Sequence, residues 1–176
     1  MRLFARVSFD EVTIADIAEA ADMTPAAVYY HFAGKEQILL EGIQLFSDGL
    51  VSAARSGVTD NVPLGQLMTD LLDHLRGHRT SARVYFINSA GLNLALEAHR
   101  KLVRSDLTEL FTEAARQARG RLPAAEAGVI GSALVSLLEV SASTVLGRDQ
   151  TYRRLGARRI PDAVATLAEH IAGLDP

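Results

Sequence analysis

Between positions 13 and 35 the chain gathers side chains suited to a phosphate backbone: the phenols of Tyr29 and Tyr30 on a short outward-facing helix and the ammonium of Lys35 just after it. Donors of these types bind phosphate oxygens and fix the register of a protein on a duplex without reading its sequence. Pro25, Ala26 and Ala27 lie in the same stretch. They offer apolar surface, and an alanine methyl suits the thymine methyl on a major-groove edge. Lys35 is the sharpest clue, because it stands where a helix is expected to begin. A cation there opposes the helix dipole, at a cost of a few tenths to about 1 kcal/mol. Together with the open amides of the first turn it would hold a phosphate; the plainer reading is a solvated lysine on a frayed end.

Other groupings offer less. Asp70, His74 and His78 follow one another in steps of four, a spacing that puts three potential metal ligands on one helix face. The same residues equally form the wet face opposite a leucine stripe, and the reading assigns no metal and no cofactor. The chain has no cysteine, which excludes a disulfide scaffold, a Cys-ligated metal site and a thiol nucleophile, and fits a reducing compartment. No Ser/His/acid spacing, catalytic carboxylate pair, phosphate-cradling glycine loop or dinucleotide fingerprint occurs, so no enzyme is expected. The chain opens Met-Arg-Leu-Phe and meets acidic residues by position 10; without the pattern of a secretory leader, a cytoplasmic protein is expected.

Charge limits how nucleic acid could be bound. Over 176 residues, 18 basic and 21 acidic side chains give a net charge of −3. Residues 1–57 hold Arg2, Arg6, Lys35 and Arg55 against eight acids, a local charge of −4. Contact with DNA from this part must therefore come from geometry and a few placed donors, not from a general attraction.

Helical periodicity positions these groups. Ile14, Ile17, Ala18 and Ala21 fall on one face, as do Ile38, Leu39, Ile43, Phe46 and Leu50 over 35–55. Leu64, Leu67, Met68, Leu71, Leu72 and Leu75 form an amphipathic stripe behind Pro63. Residues 81–96 read as one mostly buried helix. Residues 98–119 turn Val103, Leu107, Leu110, Phe111, Ala114 and Ala118 inward, and 162–173 do so with Val164, Leu167, Ala168 and Ile171. No alternating strand pattern appears, so the expected fold is all-α, with a helix-turn-helix unit followed by an antiparallel helical bundle. Residues 127–146 are apolar enough to raise a membrane span, but Glu139 and several serines and threonines sit inside the run. A mid-bilayer carboxylate costs on the order of 2.5–3.5 kcal/mol, so a helix buried in a bundle or subunit contact is expected instead.

Thr13 with Asp16 reads as a capping box, and Thr24-Pro25 restarts the helix after a break near Ala21-Asp22-Met23. Two short helices joined by about three residues make a helix-turn-helix. Ala18 allows a close crossing while Ile17, Val28 and Phe32 close a small core. The second helix is left to face a major groove.

The block FDEVTIADIAEAADMTPAAVYYHFAGKEQIL, residues 9–39, resembles the DNA-binding domain of the TetR family of bacterial transcriptional regulators. The resemblance rests on Thr13 with Ile17-Ala18, on Thr24-Pro25, on the run Val28 to Phe32, and on Lys35-Glu36. It implies a DNA-binding domain over residues 1–45, a ligand-binding and dimerisation domain over 46–176, and a homodimer on double-stranded operator DNA. Thr13, Tyr29, His31 and Lys35 would hold the backbone, while Thr24 and Tyr30 complete the outward surface. Pro25, Ala26 and Ala27 would lie against bases. The chain opens within the family's first helix, at Leu3-Phe4-Ala5, and carries Asp22 where the family has a turn glycine and Ser8 and Ala15 at other familiar positions.

The resemblance further implies a small-molecule effector in the C-terminal domain. Tyr85, Asn88, Ser89 and Asn93 are the expected polar contacts of a mainly hydrophobic ligand, with Met68, Leu72, Phe86 and Phe111 as walls. Glu139 is either a pocket acid or the partner of an arginine. Residues 127–146 and 162–173 are expected to form the contact between subunits. Arg153, Arg154, Arg158 and Arg159 make a basic cluster, read as solvated surface. The function expected is a repressor released from a palindromic operator by its effector. The alternative is a helical small-molecule-binding protein that has kept the fold and lost operator affinity.

Overall fold

The computed structural model describes residues 1–147 and 159–174. Eight α-helices are found among them: α1 (Ile14–Ala20), α2 (Pro25–His31), α3 (Lys35–Thr59), α4 (Leu64–Gly77), α5 (Arg79–Arg83), α6 (Leu94–Arg119), α7 (Ala124–Leu146) and α8 (Ile160–Ile171). A π-helical turn, Val84–Asn88, continues α5. No strand occurs among the described residues. Arg153, Arg154 and Arg158 of the basic cluster lie outside them; Arg159 is exposed.

The helices begin where side-chain chemistry places them. Thr13 caps α1 in a full capping box with Asp16. Thr24 caps α2 by accepting from the amide of Ala27 at 3.2 Å, with Pro25 at the first helical position. Between them Asp22 turns the chain at φ 55°, a left-handed conformation that aspartate tolerates better than most residues but less well than glycine.

Helix α3 buries Leu39, Ile43, Phe46, Leu50, Ala54 and Val58 along one stripe and runs unbroken past residue 45, so the two expected domains share a helix. The α4 leucines and Met68 are all buried. Helix α6 packs chiefly on α7, α4 on α8, and α3 on α6 and α4. Glycine sets the spacing of α6 and α7. A Cβ at Gly131 would meet the side-chain oxygen of Thr112 and come within 2.7 Å of the Thr108 carbonyl and 2.9 Å of the Thr112 amide. Helix α7 is long and apolar enough to cross a membrane, with a mean hydropathy of 1.8, yet Ile130, Leu134, Val135 and Leu138 are buried within the bundle.

Two readings of the periodicity need correction. Residues 81–96 are not one helix: the Ser89 amide bonds the Val84 carbonyl at 2.9 Å, five residues back, and the chain then turns through Gly91 at φ 74°. Asn93 caps a new helix by accepting from the Leu96 amide at 2.9 Å. Leu167 and Ala118, expected inward, are exposed.

Candidate nucleic-acid interface

Helices α1 and α2 pack through Ala18 and Val28, both buried in a small contact separate from the main core. Burying Val28 turns the opposite side of α2 outward. Thr24, Pro25, Ala26 and His31 are exposed, as are Tyr29 at 59% and Tyr30 at 85%; Ala27 is half-buried. The Tyr30 and His31 rings meet edge to face, with centroids 5.0 Å apart. Leaving two phenols in water has no packing benefit, whereas phenol and imidazole groups on a short rigid helix are suited to phosphate and groove edges. Thr24 uses its oxygen as the cap acceptor, so its hydroxyl hydrogen points to no partner within the cap.

Two of the expected backbone contacts have other work. The Lys35 ammonium donates to the carbonyls of Phe9 (2.8 Å), Asp10 (3.1 Å) and Val12 (2.9 Å), and lies 4.6 Å from the centre of the Phe9 ring. An ammonium has three hydrogens, and all three are used. Lys35 is therefore a clasp that fixes residues 9–12 against the start of α3, not a free donor awaiting phosphate. The clasp also accounts for a cation at this helix start. The Thr13 hydroxyl donates to the Asp16 carboxylate at 2.7 Å, and the Thr13 amide donates to the same oxygen at 2.8 Å. These bonds hold the Asp16 carboxyl below its ordinary value, keeping an anion at the start of α1, where a phosphate would otherwise be drawn. Thr13 shapes the unit from within.

The nine expected ligand contacts have different surroundings. Met68, Leu72 and Phe111 are fully buried in the bundle core. Tyr85 is buried, its phenol pushed up to about 12 by desolvation. Phe46 packs on both Tyr85 and Phe86. Asn93 is spent as the α6 cap. Glu139 is no pocket acid: it pairs with Arg104 on the half-exposed α6–α7 surface, and Arg104 also reaches Ser136 at 3.0 Å. Ser89 donates to the Tyr85 carbonyl at 3.1 Å, while Asn88 faces the N-terminal segment and donates to the Phe4 carbonyl at 3.2 Å.

Arg100 is not among the side chains expected to carry a site. From α6 it bonds the Tyr85 carbonyl and covers the Tyr85 ring at 4.7 Å, so it secures the π-helical turn. Nothing in the local spacing pairs positions 85 and 100 across a turn whose existence was not foreseen. Among the described residues no group of three potential ligands gathers for a metal: Asp70 accepts from Gln66 at 2.7 Å, and His74 stacks on His78 with centroids 4.3 Å apart.

A helix-turn-helix with an outward second helix, carried on a helical bundle, defines a class of DNA-binding proteins. Residues 1–41 match the profile of the bacterial regulatory proteins of the tetR family. The fold is also similar to a crystal structure assigned to the TetR family of transcriptional regulators from Syntrophomonas wolfei str. Goettingen. That match has a TM-score of 0.72 and 14% identity, and covers 97% of this chain and 89% of the other. No curated protein sequence matches the chain significantly. Residues 1–41 are thus similar to the DNA-binding domain of the tetR family, and the chain as a whole shares its helical fold with a protein assigned to that family.

Proposed function

We propose that the protein is a ligand-responsive repressor. It acts as a homodimer in the bacterial cytoplasm, binds a palindromic operator through α2, and is released by a small, mainly hydrophobic molecule. The observation that carries this reading is the outward display of Tyr29, Tyr30 and His31 beside Thr24 and Ala26. Tyr29, Tyr30, His31 and Thr24 hold the DNA backbone, while Pro25, Ala26 and Ala27 lie against base edges. Thr13 and Lys35 position the unit. Dimerisation through 127–146 and 162–173 is supported by exposed apolar side chains on α7 and α8: Val129 at 70%, Val140 at 64% and Leu167 at 49%. A groove of about 380 Å³ between those helices, lined by Val140, Ile160, Val164 and Leu167 among others, adds a surface a second copy would cover.

Two recognition helices must meet major-groove faces about one turn, roughly 34–36 Å, apart. Helix α3 joins the DNA-binding unit to the bundle without a break, so a tilt of α3 changes that separation. Complete switching, from 99:1 to 1:99, requires a ligand to prefer one state by about 5.5 kcal/mol.

The second reading is a helical small-molecule binder without operator affinity. It is favoured by the −4 charge of residues 1–57 and by the internal use of Lys35 and Thr13. Selection from random or genomic DNA separates the two. The repressor reading requires a palindromic fragment whose binding weakens with salt and is lost in Tyr29→Ala. Recovery of no fragment leaves the small-molecule binder.

A further inference from the structure

A pocket of about 220 Å³ lies where the N-terminal segment meets the π-helical turn, at the edge of the main core. Phe4, Val7 and Phe9 form one wall, Val84 and Leu92 the other, and Leu39 of α3 contributes between them. The Phe4 and Phe9 rings are stacked with centroids 5.8 Å apart. An apolar cavity of about 150 Å³ accepts benzene, so this volume suits a single substituted ring.

The polar side chains at the pocket are those of Ser8, Asp10, Asn88 and Ser89. Asn88 spends its amide nitrogen on the Phe4 carbonyl, and its carbonyl oxygen is buried with no partner. A buried acceptor left unmade is costly, and a donor brought to it recovers that loss. Asp10 is also a lining residue, and its negative charge disfavours an anionic guest, while the Ser89 hydroxyl is already committed to Tyr85.

We infer that this junction pocket is an effector site for a neutral monocyclic aromatic bearing one hydroxyl or amino donor, directed to Asn88. The inference rests on the ligand-responsive reading above and gives that response a place and a chemistry. One wall, Phe4 to Asp10, supplies the carbonyls of Phe9 and Asp10 that Lys35 clasps, so it is tied to the start of α3, while its Phe4 carbonyl is bonded to Asn88. The other wall is the turn that Arg100 fixes to the bundle. A guest between them sets the distance from one body to the other, and it acts on DNA binding only through its preference for one such distance.

The test uses phenol as the probe and toluene as its isostere without a donor, on the full chain. Phenol should shift NMR resonances from residues 4–10 and 84–92 in a saturable way and bind about tenfold more tightly than toluene. Saturating phenol should weaken binding to a selected operator fragment by about five-fold or more. Leu92→Trp, which fills the pocket, should abolish both effects while binding of phenol-free protein to the fragment persists. Val7→Trp, at the exposed rim, does the same if the first variant does not fold. Absence of shifts, shifts that survive both substitutions, or a bound phenol that leaves operator affinity unchanged overturns the inference. If phenol-free protein binds no DNA, the repressor reading and the coupling fall together, while the spectra still decide the site.

Discussion

The DNA-binding unit and the bundle are held together by different means. Helices α1 and α2 bury little beyond Ala18 and Val28, and their shape depends on two caps, a left-handed Asp22 and the Lys35 clasp. The bundle depends on a continuous core running from Phe46 and the α4 leucines to α7. The first arrangement is directional and small, so single polar groups decide it. The second is apolar and large, and volume decides it. A recognition surface needs exposed polar side chains on a rigid short helix, and hydrogen bonds provide rigidity where there is no room for a core.

Damage should therefore differ in size and in reach. Leu72→Ala, in a fully buried position, should cost about 2–5 kcal/mol of global stability. Urea unfolding checks it, and a loss under about 1 kcal/mol would break the contrast. Gly131→Ala should cost about 1–3 kcal/mol, because the added methyl meets α6 backbone that cannot yield as a flexible side chain would.

Lys35→Met should act locally, at about 1–3 kcal/mol, by stripping three carbonyls of their donor. Amide exchange should accelerate across the first forty residues and stay slow in α6 and α7; uniform acceleration would show that the two regions unfold as one. Asp22→Gly should stabilise that same unit by up to about 1 kcal/mol, by removing a side chain from a left-handed position.

The smallest effect is one of pH. Burial, then the neighbouring His78, lowers the His74 pKa, so the folded state favours the neutral ring. Stability is complete above the unfolded value near 6.5 and falls as pH drops from there toward the folded value. In His74→Phe that part of the pH dependence should disappear from thermal melts.

Much of the N-terminal architecture could be read from residue types. Thr13 with Asp16, Thr24-Pro25 and the three-residue break are local signals, because caps and turns are satisfied within four residues of chain. The bundle's inward faces were legible at Leu64 to Leu75 for a related reason, since a strong stripe has only one side to bury. The break at Ser89–Asn93 was less so. Gly91 and Asn93 are its markers, but the apolar residues flanking them preserve helical spacing, and the turn is secured by Arg100 from another helix.

By itself, then, the sequence determined an all-helical chain, the caps that start α1 and α2, and the phenols and imidazole that α2 carries. Only the tertiary structure decided what Lys35 does, that Glu139 belongs to Arg104, and that Asn88 faces Phe4. Spacing along a helix names the face on which a side chain lies. Which carbonyl or carboxylate waits opposite depends on segments 23 to 84 residues away, and those are brought near by the packing of the whole chain.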